Sequence, residues 1–284
     1  MKTRHFFWLL KRSLVGAFDD NCLSIAKGVA FSAILSFFPL LLVVAALLFS
    51  QKAEAVVREI KIALGQVLPE DAYRLAVQYL HPGGRRTQSI LAGAWVVAIW
   101  AASDAIVSLM EGFRAAYRLP ASWSFLKTRA VALALVLLAG LPLLFATLLL
   151  FSGKQIETWL IAHLGMVSWG IRLGWRASCW ALALGTSTAV IAILYHMAPN
   201  RSQQWRYVWP GAVVATLLWL PATLLFAWYV QYMARYHALY GSISAAVVLL
   251  MWMYLVSLIV LVGCEFNAEY ERWEVSQEPA GGEA

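Results

Sequence analysis

An all-α fold, a polytopic transmembrane bundle of six helices with short amphipathic interfacial helices, follows from three observations. The chain has 284 residues and is 62% apolar but only 13% charged, whereas a soluble domain is about 45–50% apolar and about 25% charged. Its mean hydropathy is +0.70. The apolar excess is gathered into runs of the length that crosses a bilayer, about 20 residues for about 30 Å of hydrocarbon. These runs are continuous rather than alternating, which argues against membrane-spanning β-strands. With so few charges, 9 Pro and 3 Cys, disorder, a collagen repeat and a disulfide scaffold are excluded.

Residues 1–28 form an arm. Phe6, Phe7, Leu10, Leu14 and Phe18, with Lys11 and Arg12 beside them, fit a short amphipathic helix at the lipid headgroups. The apolar run Phe6–Leu10 is too short for a cleaved signal peptide, so the arm is expected to be retained. A membrane domain over 29–268 follows, with spans at about 29–50, 88–110, 129–151, 177–197, 208–233 and 243–264. Between the first two spans, residues 51–87 carry two helical patterns, Val56, Val57, Ile60, Leu64 and Val67, then Leu75, Tyr79 and Leu80, separated by Pro69. Two readings of this loop stand: helices resting on the outer leaflet, or a lid or docking surface for an envelope protein. The tail, 269–284, is acidic and reads as a solvated terminus.

Six spans place both termini on one side. Lys and Arg divide almost evenly between the sides, so the basic arm (Lys2, Arg4, Lys11, Arg12, Lys27) decides, and it points to cytoplasmic termini. The formal charge of +7 is then assigned to topology and anionic lipid rather than to nucleic acid. Lys11, Arg12, Arg114, Arg118, Lys127 and Arg129 are the candidate lipid contacts, since a basic residue beside an anionic leaflet gains about 1 kcal/mol.

Asp104 is the one acid well inside a span. A carboxylate at the centre of a span costs about 2.5–3.5 kcal/mol and should face the bundle interior or a wet cavity. With Ser103 beside it, Asp104 is a candidate either for a transport path or for a structural polar pair with an arginine or a hydroxyl. Pro39, Pro142 and Pro221 lie within or near span interiors, and Pro210 in the first turn of span five. An interior proline frees a carbonyl and bends its helix; such helices line substrate sites in transporters, although simple kinking is the alternative. Alanine, glycine and serine crowd spans two and four, permitting close helix contact.

Enzyme chemistry has no foothold in the sequence. His5, His81, His163, His196 and His237 show no metal-ligand spacing, and there is no phosphate-binding G-x-x-x-x-G-K-[ST] loop and no G-x-S-x-G elbow. Cys22, Cys179 and Cys264 form no C-x-x-C pair and read as small buried hydrophobes. The expectation is a protein without catalytic residues, metal or cofactor.

Three stretches carry a resemblance: Ala30-Phe31-Ser32-Ala33-Ile34-Leu35-Ser36-Phe37-Phe38-Pro39; Trp100-Ala101-Ala102-Ser103 with Ala115-Ala116-Tyr117; and Tyr240-Gly241-Ser242 with Leu250-Met251-Trp252-Met253-Tyr254 and Gly263-Cys264-Glu265-Phe266-Asn267-Ala268. Tyr195, Pro199-Asn200-Arg201 and Gly211 fall in the same order. From Lys27 to Ala268 the chain resembles the YihY/BrkB family of bacterial inner-membrane proteins. The resemblance implies six helices with cytoplasmic termini and no settled activity: members carry an old ribonuclease label, and serum resistance and lipid transport have been linked to the family. Cys264 departs from a more usual alanine, and Asp104 from a more usual small residue. Glu265 and Asn267 end span six. A helix C-terminus disfavours a carboxylate, so Glu265 is expected to have a basic partner. Both residues are candidates for a structural lock or for a gate or headgroup contact. The functional expectation is movement or positioning of lipids or lipid-linked molecules. A non-transporting envelope scaffold working through 51–87 and an ion-coupled solute antiporter using Asp104 are the alternatives.

Overall fold

The computed structural model describes residues 3–49, 85–120, 123–164, 169–233 and 243–277. Among them are seven helices: α1 (Thr3–Asp19), α2 (Cys22–Phe49), α3 (Arg85–Ala116), α4 (Phe125–Leu164), α5 (Trp169–Met197), α6 (Trp205–Met233) and α7 (Ile243–Gln277). All but α1 contain a stretch long and apolar enough to cross a membrane. The protein is an all-helical, polytopic membrane protein. Helices are the solution because each satisfies its own backbone where no water can. Their hydroxyls follow the same rule: Ser36, Ser187, Thr223 and Ser257 each donate to a carbonyl three or four residues back.

Several boundaries differ from the sequence expectation. The first spanning helix starts at Cys22 rather than near 29, after a break at Asp20-Asn21. Asn21 has φ 57, a left-handed conformation its short polar side chain tolerates, and its carbonyl accepts from Ser24 and Ile25 N–H to start α2. Pro39 and Pro142 lie inside continuous helices, α2 and α4. Since α6 begins at Trp205, Pro210 falls in its second turn. Residues 152–164, expected beyond the third span, continue α4.

The acidic tail also needs correction: 269–277 is not a frayed terminus but the last turns of α7, and Glu269 is buried there. The loop residues 51–84, Tyr240-Gly241-Ser242 and 278–284 lie outside the described residues; Arg85, Arg86 and Thr87, expected at the end of that loop, open α3.

The chain divides into two compact units. Unit 1 comprises Met1–Asp20, Phe113–Leu218 and Val260–Ala284; unit 2 comprises Asn21–Gly112 and Trp219–Ile259. In unit 1, α1 packs onto α6 and α7 through Leu9, Val214 and Phe266, with Phe6, Leu10, Leu218, Tyr270 and Trp273 around them. Phe113 meets the Tyr195 ring edge-on at 5.3 Å between centroids. In unit 2, Phe226 of α6 packs on Trp252 of α7 at 5.1 Å. Many large apolar side chains point outward, among them Phe31, Leu35, Val96, Leu141, Leu224 and Trp228. A face of that kind is stable only in an apolar solvent.

Candidate functional site

Unit 1 is organised by a helix crossing that only glycine permits. A Cβ on Gly211 of α6 would stand 2.1 Å from the Gly263 carbonyl, and one on Gly263 of α7 would stand 2.4 Å from Tyr195 Oη and 2.9 Å from the Gly211 carbonyl. Tyr195 Oη donates to the Val260 carbonyl at 2.6 Å. One turn beyond the crossing, Asn267 clamps the start of α6. Its Oδ1 accepts from Gly211 N–H at 2.6 Å and its Nδ2 donates to the Val208 carbonyl at 2.9 Å. Thr188 of α5 and Thr216 of α6 add a hydroxyl pair at 3.0 Å.

Near the end of α7, Glu269, Glu271 and Glu274 each meet an arginine from another part of unit 1. Glu269 accepts from Arg12 of α1 at 2.6 Å and also pairs with Arg272 on its own helix. Arg272 reaches on to the carbonyl of Ala116, the last residue of α3. Glu271 pairs with Arg201, whose guanidinium lies 4.5 Å from the Tyr117 ring centroid. Glu274 lies 3.8 Å from Arg206. Burial pushes the Tyr117 phenol well above its ordinary pKa of 10.0, and the Glu271 carboxylate adds to that while Arg201 and Arg272 oppose it.

Glu265 is fully buried. Arg272 and Asp20 both stand near enough to its side chain to act on it electrostatically, one of each sign. Gly16 makes room for it, since a Cβ there would come within 3.1 Å of Glu265 Oε2.

The second polar feature belongs to unit 2. Ser32 Oγ of α2 donates to Asp104 Oδ2 of α3 at 2.9 Å. Ser32 is buried, whereas Asp104 is half-buried. The hydroxyl alternative anticipated for Asp104 is therefore present. Ser103, its neighbour, turns away and donates to the Trp100 carbonyl of its own helix at 2.7 Å.

The sequence candidates do not form one cluster. Asp104, Ser103 and Pro39 belong to unit 2, and Pro142, Glu265 and Asn267 to unit 1. The lipid candidates also separate. Arg12 is drawn to Glu269. Arg118 has φ 55 and, with Leu119 N–H on the Arg114 carbonyl at 2.9 Å, terminates α3 in a left-handed cap. Lys127 lies over Trp123 and Arg129 over Phe125. Ser32, Gly211 and the Arg201–Glu271 pair were not singled out from chemistry. Their partners stand 72, 56 and 70 residues away, beyond any local pattern. Among the described residues, no three His, Cys, Asp or Glu side chains stand close enough to hold a metal ion.

These features define a multi-pass α-helical membrane protein with a glycine-mediated crossing locked by one asparagine. The chain belongs to the Virulence factor BrkB family, which matches it over residues 14–284. It is similar to the putative ribonuclease-like protein YfkH of Bacillus subtilis, 30% identical over 204 residues, covering 72% of this chain and 74% of that protein. It is also similar to a UPF0761 membrane protein of Tolumonas auensis, 27% identical over 283 residues, covering 97% and 87%. No solved structure matches the chain.

Proposed function

We propose that the protein moves or positions lipids or lipid-linked molecules in the inner membrane of a bacterium, with both termini in the cytoplasm. The observation that carries this reading is the half-buried Asp104 carboxylate, held by Ser32 inside a membrane-spanning stretch. An ionisable group at that depth is costly to retain and marks substrate and ion paths. A purely structural role would be served as well by a neutral pair. The outward apolar faces and the basic arm suit a protein whose substrate shares its solvent. RNA cleavage, suggested by the name of the Bacillus subtilis relative, is not part of the proposal. Metal-dependent cleavage of a phosphodiester calls for clustered carboxylates or histidines holding cations, and Glu269, Glu271 and Glu274 of α7 pair instead with arginines.

The test is reconstitution of the full chain into vesicles carrying a fluorescent phospholipid in one leaflet, with and without a proton or sodium gradient. Protein-dependent transfer that falls in Asp104→Asn supports the reading. No transfer of phospholipid or of a lipid A precursor under any gradient overturns it. Gradient-driven uptake of a small solute, lost in Asp104→Asn, would replace it with the antiporter.

A further inference from the structure

The stripe Phe6, Phe7, Leu10, Leu14 and Phe18 is not one face of α1 but parts of two. Leu9, Phe6 and Leu10 turn inward onto Val214 and Phe266. Phe7, Trp8, Leu14, Val15 and Phe18 turn outward, with Phe7 and Phe18 each 68% exposed. Helical geometry places Lys11 in the middle of that outer face. It stands four residues after Phe7 and three after Trp8, and three before Leu14, four before Val15 and seven before Phe18, all offsets that share one side of a helix. The level of α1 is fixed by its ties. Arg12 holds Glu269, which holds Arg272, which reaches the carbonyl of Ala116, where α3 ends. Beyond the loop, α4 begins with exposed Phe125 and Leu126, so this end of unit 1 is where spanning helices leave and re-enter the apolar layer. A 17-residue helix there is about 25 Å long.

We infer that the outer face of α1 is a lipid-docking surface, immersed in the leaflet through Phe7, Trp8, Leu14, Val15 and Phe18, with Lys11 taking the phosphate of an anionic headgroup. Charge selects this occupant. No acid lies within two turns of Lys11 in either direction, so pairing this face with itself in a second copy would bury two lysines without partners, at high cost. In a leaflet the same lysine extends its stem along the apolar surface and leaves its ammonium among phosphates. Arg12, on the neighbouring stripe, is committed to Glu269, so the lipid charge falls to Lys11. This surface goes beyond the transport reading and does not rest on it.

The test uses the full chain with a nitroxide on Phe18→Cys, or on Leu14→Cys if the first fails to fold; the three native cysteines are buried. The protein is placed in nanodiscs of phosphatidylethanolamine with phosphatidylglycerol, or of phosphatidylcholine alone. Collision with oxygen several-fold favoured over a water-soluble nickel chelate in the anionic discs, reduced in phosphatidylcholine and in Lys11→Glu, is expected. Lys11→Glu should keep its helicity because Lys11 is exposed. Three outcomes overturn the inference: labels open to the nickel chelate in both discs, immersion indifferent to lipid charge and to Lys11→Glu, or spin–spin coupling between two copies. None of these readouts needs transport, so the docking surface and the transport reading fail separately.

Discussion

Replacing Gly263 with alanine adds a single methyl group where the structure has no space for it. The new carbon would stand 2.4 Å from Tyr195 Oη, 2.8 Å from Ala215 Cβ and 2.9 Å from the Gly211 carbonyl. Tyr195 cannot retreat, being fully buried with its ring against Phe113. The Gly211 carbonyl belongs to the backbone of α6, and that helix is clamped by Asn267. Overpacking of a closed interior costs about 1–3 kcal/mol. Moving Tyr195 also forfeits its bond to the Val260 carbonyl, about 1 kcal/mol. Alanine's better helix propensity returns about 1 kcal/mol, so the net loss is about 1–3 kcal/mol, toward the upper end because no neighbour is a flexible chain end.

Gly140 and Gly185 serve as internal controls, since a methyl group added at either would meet no described neighbour within 4 Å; alanine there should be neutral or stabilising by up to about 1 kcal/mol. Unfolding can be followed by thiol labelling, since Cys22, Cys179 and Cys264 are all buried, during heating in detergent or titration with a denaturing surfactant. The reasoning fails if Gly263→Ala unfolds with the wild type, or if Gly140→Ala and Gly185→Ala lose as much.

Asn267→Ala removes two interhelix hydrogen bonds of 2.6 and 2.9 Å, worth about 1–3 kcal/mol together, and the same thiol-labelling melt should shift accordingly. Asn267→Asp keeps the acceptor but sets a carboxylate oxygen against the Val208 carbonyl, so it should be no milder. At alkaline pH, Tyr117 should stay un-ionised past its ordinary value of 10.0. Because its folded pKa is raised, its neutral form contributes stability that is fully present below pH 10 and is lost as pH rises above it. The phenolate absorbance that distinguishes wild type from Tyr117→Phe should therefore appear only as the protein unfolds.

The spans were legible because run length against bilayer thickness is a one-dimensional property of the sequence. Which apolar face meets protein and which meets lipid was not. In α1, Phe6 and Phe7 are adjacent and equally apolar, yet one packs onto Phe266 at 5.6 Å between ring centroids and the other is exposed. Hydropathy cannot separate them because lipid tails are as apolar as a protein interior. Asp104 was visible as a charge out of place, but Ser32, its partner, looks like any small residue in a span until α2 is laid beside α3. The acids from Glu269 onward read as solvated because charge at a terminus normally is. Their role depended on Arg12, Arg201 and Arg206 arriving from distant parts of the chain.

Four of the five positions in the stretch Gly263-Cys264-Glu265-Phe266-Asn267 have a mechanical task. Gly263 admits α6, Glu265 packs beside Gly16, and Asn267 locks Val208 and Gly211. Phe266 closes the core against Leu9 and Val214. Phe266 and Asn267 are committed inside the protein, and a contact made there with cargo would have to replace one that holds the helices together. Asp104 differs in being half-buried on a span, its Oδ2 held by a serine hydroxyl that can rotate. Loss of function at Gly263 or Asn267 should therefore track loss of folded protein, whereas Asp104→Asn, which keeps shape and removes charge, should spare the fold and alter what the protein does.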